Sequence, residues 1–171
     1  DGKDDHGNPV NDYLLGGAGN DTIVNIGTMD YANGGEGNDF IHIVSTDFLG
    51  VNGGSGTDTL VFDGQGLDIN LSVMKTKVIS FEKFDLGHGG NSLTVKLDDV
   101  LRMGEADLMF KDGKKQLVVN GDTSGTVDLV KTGVTWTESS ATGSDGHAYK
   151  VYSSGTGELW VEDHVQVHMI A

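Results

Sequence analysis

GGAGNDTIV (16–24), GGEGNDFIH (34–42) and GGSGTDTLV (53–61) are three copies of one nine-residue pattern, G-G-x-G-x-D-x-U-x, with U a large apolar residue. They start 18 and then 19 residues apart. The stretches between them are degenerate copies of the same unit. Asp12, Asp21, Asp30 and Asp39 fall every nine residues, and Leu14, Ile23, Ala32 and Ile41 follow two positions behind them. Asp47-Phe48-Leu49 continues the series out of phase, and one inserted residue restores it at Asp58-Thr59-Leu60.

A half-turn of nine and a full turn of 18 residues predict a flattened right-handed coil. Each half-turn would be a six-residue loop and a three-residue strand, with turns stacked as parallel strands ~4.8 Å apart. Ile23, Ile41 and Leu60 would form one apolar ladder, and Leu14, Ala32 and Leu49 the facing one. Asp21, Asp39 and Asp58 would line one loop edge, and Asp12, Asp30 and Asp47 the other.

That stacking sets the chemistry. Two carboxylates ~4.8 Å apart repel by roughly 3–4 kcal/mol at an effective dielectric of ~20. A coil this thin buries little apolar surface to offset the repulsion. A hard divalent cation between successive loops reverses its sign, and Ca²⁺ accepts 6–8 oxygens at ~2.3–2.6 Å. The glycines allow alternate carbonyls to turn toward the ion. The expected ligands are the carboxylates of Asp21, Asp39 and Asp58 and the carbonyls of Gly16, Ala18, Gly34, Glu36, Gly53 and Ser55. Asp12, Asp30, Asp47 and Asp68 form a weaker set, because their loops lack the glycine pair. Several Ca²⁺ ions are expected. Mg²⁺ fits less well, since it demands a tight octahedron and keeps its waters.

The composition agrees. The 171 residues carry 26 acidic against 11 basic side chains, a formal net charge of −15, which repels nucleic acid and anionic membrane and attracts cations. The apolar fraction is 36% and alternates with polar residues, as folded β structure requires. Cys is 0, so disulfides and thiolate metal sites are excluded. No run approaches the ~20 apolar residues of a membrane-spanning helix, and neither membrane insertion nor a signal peptide is expected. The chain opens on Asp1 without an initiating Met and reads as part of something longer. As an isolated domain it is expected to be monomeric.

From Phe62 the nonapeptide fades and the β character stays. FDGQGLDINL (62–71) keeps a G-x-G-x-D core, and LGHGGNSLTVKL (86–97) turns into alternating Leu93, Val95 and Leu97. Residues 98–103 read as one or two helical turns with Asp at the N-cap. Short strands at roughly ten-residue spacing follow, suggesting an antiparallel sandwich or curled sheet. The fold class is therefore all-β: a calcium-binding parallel β-roll over 1–62, continued and capped over 63–171 by a β-sandwich-like part packed on it as one unit.

The three nonapeptides resemble those of RTX proteins. FEKFDLGHGGNSLTVKLDDVL (81–101), LVVNGDTSGTVDLV (117–130), VTWT (134–137) and YKVYSSGTGELWVED (149–163) extend the resemblance to the C-terminal end of large RTX adhesins. That resemblance implies export by a type I secretion machinery, passage through the envelope unfolded, and folding in external calcium. It implies a secreted or bacterial cell-surface location. This sequence departs from many relatives in having only three full nonapeptides.

Other constellations are weaker. His164 and His168 stand in a strand-like H-V-Q-V-H, and four strand residues span roughly 13 Å, too far for one ion. His6, His42, His88 and His147 have no motif around them, and no H-E-x-x-H or G-x-S-x-G is present. Asp98-Asp99 and Glu162-Asp163 read as exposed charge, since adjacent strand residues face opposite ways. Trp136, Trp160, Tyr149 and Tyr152 read as core packing rather than a sugar platform. The expected function is a non-catalytic, Ca²⁺-dependent folding and secretion module of an adhesin. Two alternatives are a sugar- or peptide-binding module of a cell-surface adhesin and the accessory roll of a secreted hydrolase. Clustered exposed aromatics would favour the first, and a catalytic motif upstream the second.

Overall fold

The computed structural model describes residues 10–171. Six strands come first: β1 (Tyr13–Ala18), β2 (Thr22–Ile26), β3 (Tyr31–Glu36), β4 (Phe40–Ile43), β5 (Gly50–Ser55) and β6 (Thr59–Phe62). The odd strands pair in parallel in one sheet and the even strands in a second. Each half-turn thus adds one strand to each sheet in alternation, which is the coil the nine-residue period requires. The strands are longer than three residues, because the glycine pair lies inside β1, β3 and β5 instead of in the loop.

Ile23 stacks on Ile41 and Ile41 on Leu60, as the period predicts. The facing ladder needs a correction. Leu14 stacks on Ala32, and Ala32 on Val51, not on Leu49. The extra residue of the second turn is absorbed before β5, in the loop, where it disturbs no ladder hydrogen bond. Phe48 consequently turns into the core with 0% exposure, while Leu49 stays 37% exposed.

Beyond β6 lie β7 (Asp68–Asn70), β8 (Val78–Ile79), β9 (Lys83–Asp85), β10 (Ser92–Val95), α1 (Leu97–Met103), β11 (Glu105–Ala106), β12 (Lys115–Asn120) and β13 (Thr126–Val130). The chain ends with β14 (Thr137–Thr142), β15 (Ala148–Ser154), β16 (Gly157–Glu162) and β17 (Gln166–Ile170). Here the expectation of an antiparallel sandwich is overturned. β9, β12 and β16 extend the even sheet in parallel, β8 adds to β5, and β7, β10, β13 and β17 form a third parallel sheet. Antiparallel pairing is confined to β14–β15–β16 and β11–β12. Alternation alone is the same for either direction. Short connections suggest hairpins only when sequential strands share a sheet, whereas here they usually belong to different sheets.

One apolar cluster runs from Ile23 through Leu60, Phe84, Leu93, Leu117, Val127 and Leu159 to Val165. Asn91, fully buried, fixes the corner between the even and third sheets. Its Nδ2 donates to the carbonyls of Phe62, Gly64 and Leu86, and its Oδ1 accepts the Leu67 N–H. The helix begins after Lys96, so no Asp stands at the N-cap. Instead the Asp99 carboxylate reaches back to the Lys96 N–H and is held by Ser72 and Arg102. Outside the even sheet, Met109, Val118, Tyr149, Val151 and Trp160 form a second cluster. Tyr149 and Trp160 pack edge to face at 5.8 Å. Tyr152 is also buried, and Trp136 is half-buried with its Nε1 donating to the Val130 carbonyl. These aromatics are packing residues.

Ile41 sits between Ile23 and Leu60 with no exposure. Ile41→Ala should lower the unfolding free energy of the calcium-loaded protein by about 2–5 kcal/mol. Val73→Ala, at a 78% exposed position, should change it by less than about 0.5 kcal/mol. Urea titration of both variants in saturating calcium checks this.

Candidate metal centre

Each full nonapeptide begins inside an odd strand and ends in the following even strand, so its loop closes one edge of the coil. The first glycine of each copy is held by close approach. A Cβ on Gly16 would stand 2.7 Å from Asp21 Oδ2 and against the Gly34 carbonyl. On Gly34 it would stand 2.5 Å from the Gly53 carbonyl and against Asp39 Oδ2, and on Gly53 it would stand 2.7 Å from Asp58 Oδ2 and against the Ser80 carbonyl. The second glycines, Gly17, Gly35 and Gly54, have φ of 105°, 115° and 112°, which a side chain would strain. The result is three cradles, one per loop, each lined by the loop's own aspartate oxygen and a carbonyl from the next turn.

The aspartates are tied in series. The Asp21 N–H donates to Asp39 Oδ1 at 2.8 Å, the Asp39 N–H to Asp58 Oδ1 at 2.8 Å, and the Asp58 N–H to Glu82 Oε2 at 2.9 Å. Hydrogen bonding thus fixes one oxygen of each receiving carboxylate. In Asp39 and Asp58 the other oxygen faces the cradle. Oδ2 of Asp21, Asp39 and Asp58 is buried and has no hydrogen-bond partner. Asp39 and Asp58 have no exposure at all. Burial pushes the Asp58 carboxyl up, with the Asp39 charge adding to it. Burial, then the Asp58 charge, pushes Glu82 up to about 7. Isolated buried carboxylates cost several kcal/mol each. A cation in the cradle would supply the missing partner, and an all-oxygen donor set of carboxylates and carbonyls suits Ca²⁺. Among the described residues no three His, Asp or Glu side chains converge on one point. The candidate donors are instead one carboxylate per turn together with main-chain oxygen.

The remaining sequence candidates have hydrogen-bond partners within the protein or lie off this edge. The carbonyls of Glu36 and Ser55 accept the N–H groups of Gly19 and Gly37, one turn back. On the opposite edge, Asp30 is fully buried with both oxygens engaged, Oδ1 by the Asp12 N–H and Oδ2 by the Gly27 N–H. Asp30 thus serves as a main-chain tie. The pairing of Tyr31 with Gly50 brings Leu49, not Asp47, above Asp30; Asp47 is exposed and is tied to that edge by its carbonyl, which accepts the Met29 N–H. Asp68 is exposed on β7 and accepts the Ser92 hydroxyl. The histidines sit beside acids: His42 with Asp63, His88 with Asp122 and His168 with Asp128, while His147 and His164 share Glu162 and His164 also meets Asp163. His6 lies outside the described residues.

Two features escape a reading of the motif. Asn20 and Asn38, at the fifth position of their copies, clamp the loops together: Oδ1 of Asn20 accepts the Asn38 N–H, and Oδ1 of Asn38 the Thr57 N–H, each at 2.8 Å. Their recurrence at one position was the available signal. Ser80 and Glu82 carry no such signal, because Glu82 follows Asp58 by 24 residues and belongs to no nonapeptide.

Stacked cradles with orphaned carboxylate oxygens along one edge of a parallel coil define a calcium β-roll. Residues 6–24 and 27–42 match the family model of the RTX calcium-binding nonapeptide repeat (4 copies). These repeats are calcium-binding, and Ca²⁺ is the ion the chain takes. The third copy, 53–61, lies beyond the matched residues but stacks in register on the second. No curated protein and no solved structure matches the chain.

Gly34→Ala places a methyl group where Asp39 Oδ2 and the Gly53 carbonyl converge. Overpacking of about 1–3 kcal/mol, spread over two linked ions, should raise the calcium concentration at the folding midpoint by roughly two- to tenfold. Far-UV circular dichroism during calcium titration reads it.

Proposed function

We propose that the chain is a non-catalytic, calcium-dependent folding module at the C-terminal end of a type I-secreted bacterial adhesin. The observation that carries the reading is the row of buried, partnerless oxygens on Asp21, Asp39 and Asp58. The two inter-loop ions would each take an aspartate Oδ2 and the carbonyl of Gly34 or Gly53. Gly16, Ala18, Glu36 and Ser55 would contribute further main-chain oxygen.

The mechanism follows from linkage. At submicromolar cytosolic calcium the buried carboxylates have no counter-charge, and the net charge of −15 favours an expanded chain that can be threaded. In millimolar external calcium, ion binding to the folded state alone adds RT ln(1 + [L]/Kd) per site, about 2.7 kcal/mol at a hundredfold excess over Kd. Folding then proceeds outside the cell. Proteins with these repeats are typically secreted, and no helix of the described residues is long and apolar enough to cross a membrane. Residues 1–62 would nucleate around the ions, and 63–171 would dock on them as one continuous unit, without nucleic acid or a second subunit.

In EGTA the chain should lack its β spectrum and melt without a cooperative transition. Millimolar Ca²⁺ should restore both, and Asp39→Asn should weaken the response at least tenfold. A full, cooperatively melting β spectrum in EGTA would refute the proposal. The export assignment has its own check. Co-expressed with a type I apparatus, the chain should reach the medium, and retention in the cytosol would separate the calcium reading from the secretion reading.

A further inference from the structure

We infer that the roll carries a third cation site on the same edge, closed by Ser80 and Glu82 outside the repeats; this rests on the proposed reading of the first two cradles as calcium sites. Three nonapeptide loops have only two gaps between them. The structure nevertheless builds a third cradle after the last loop, with the same parts in the same places. Asp58 Oδ2 is fully buried and has no partner. The Ser80 carbonyl stands at the Gly53 cradle where the Gly34 and Gly53 carbonyls stand at the earlier ones. The Asp58 N–H donates to Glu82 Oε2 at 2.9 Å, as the Asp21 and Asp39 N–H groups donate to the aspartates one turn on. Glu82 therefore takes the place of the aspartate that a fourth nonapeptide would supply.

The local charge calls for a cation. Asp58 and Glu82 are 0% and 9% exposed and directly bonded. Among the described residues neither pairs with a Lys, Arg or His. Arg102, Lys75 and Lys115 line the adjoining cleft with Glu82 and Glu105; Arg102 is committed to Asp99, and neither lysine forms an ion pair with Asp58 or Glu82. The available donors are carboxylate and carbonyl oxygens, which select a hard divalent ion of calcium's size.

The test counts ions. Wild type, Glu82→Gln, Glu105→Gln and Asp39→Asn are folded in calcium, checked by circular dichroism, and titrated by isothermal calorimetry, with bound Ca²⁺ counted by native mass spectrometry. Glu82→Gln should keep the calcium-dependent β spectrum and bind one ion fewer than wild type, while Glu105→Gln should match wild type. The inference is overturned if Glu82→Gln binds as many ions as wild type with unchanged affinity, or if the ion is lost in Glu105→Gln instead. Should Glu82→Gln not fold, Glu82→Asp decides. The shorter carboxylate should keep the ion count and weaken one site at least tenfold, and unchanged affinity counts against the site. Loss of all calcium binding in the wild type would instead remove the underlying reading of the cradles. Normal wild-type binding with a Glu82-independent count removes only the third site.

Discussion

Asp39 and Asp58 each hold the roll together through a carboxylate used twice. One oxygen accepts the N–H of the corresponding aspartate one turn earlier, which fixes the vertical step. The other is buried without a partner and open to an ion. The first half of the arrangement sets register, and the second, on the proposed reading, makes that register conditional on calcium. Because both halves belong to one side chain, the proposed reading implies that the fold keeps its geometry without the ion only at a cost. The Asn20 and Asn38 amides show the contrast. They also clamp successive loops through main-chain N–H groups, but they are neutral and leave no charge to be neutralised.

The two edges of the roll illustrate how a small difference in surroundings divides one residue type into two roles. Asp30 and Asp39 stand nine residues apart in equivalent half-turns and are both fully buried. Asp30 meets a second N–H, from Gly27, and is satisfied within the protein. Asp39 meets a glycine with no side chain and a carbonyl from the next turn, and its second oxygen is not. The glycine pair therefore does more than permit a turn. By removing a Cβ it keeps open the space in which the charge would be met.

Much of the roll was legible in sequence, because one period governs both the apolar ladder Ile23–Ile41–Leu60 and the aspartate row. Legibility failed where the period was broken. The residue inserted in the second turn could have been absorbed on either side of β5, and only packing of Phe48 against the core selects Val51 over Leu49. Beyond Phe62, alternating residues carried no information about strand direction, so parallel strands of a continuing coil read as an antiparallel sandwich. Glu82 was invisible for a related reason. The excursion through β7 and β8 lengthens its turn to 24 residues, and it meets Asp58 only after that detour has been folded.

The hairpin of β14 and β15 has a consequence for growth. A parallel coil extends by offering its last strand as a template for another running the same way. On the even sheet β16 is that strand, and β15 pairs with it in the opposite direction, followed by β14. Whatever approaches this side of the sheet therefore meets a strand of reversed polarity, which a further turn wound in the same sense would not match. The coil is stopped on this sheet by a change of direction and not by a covering lid.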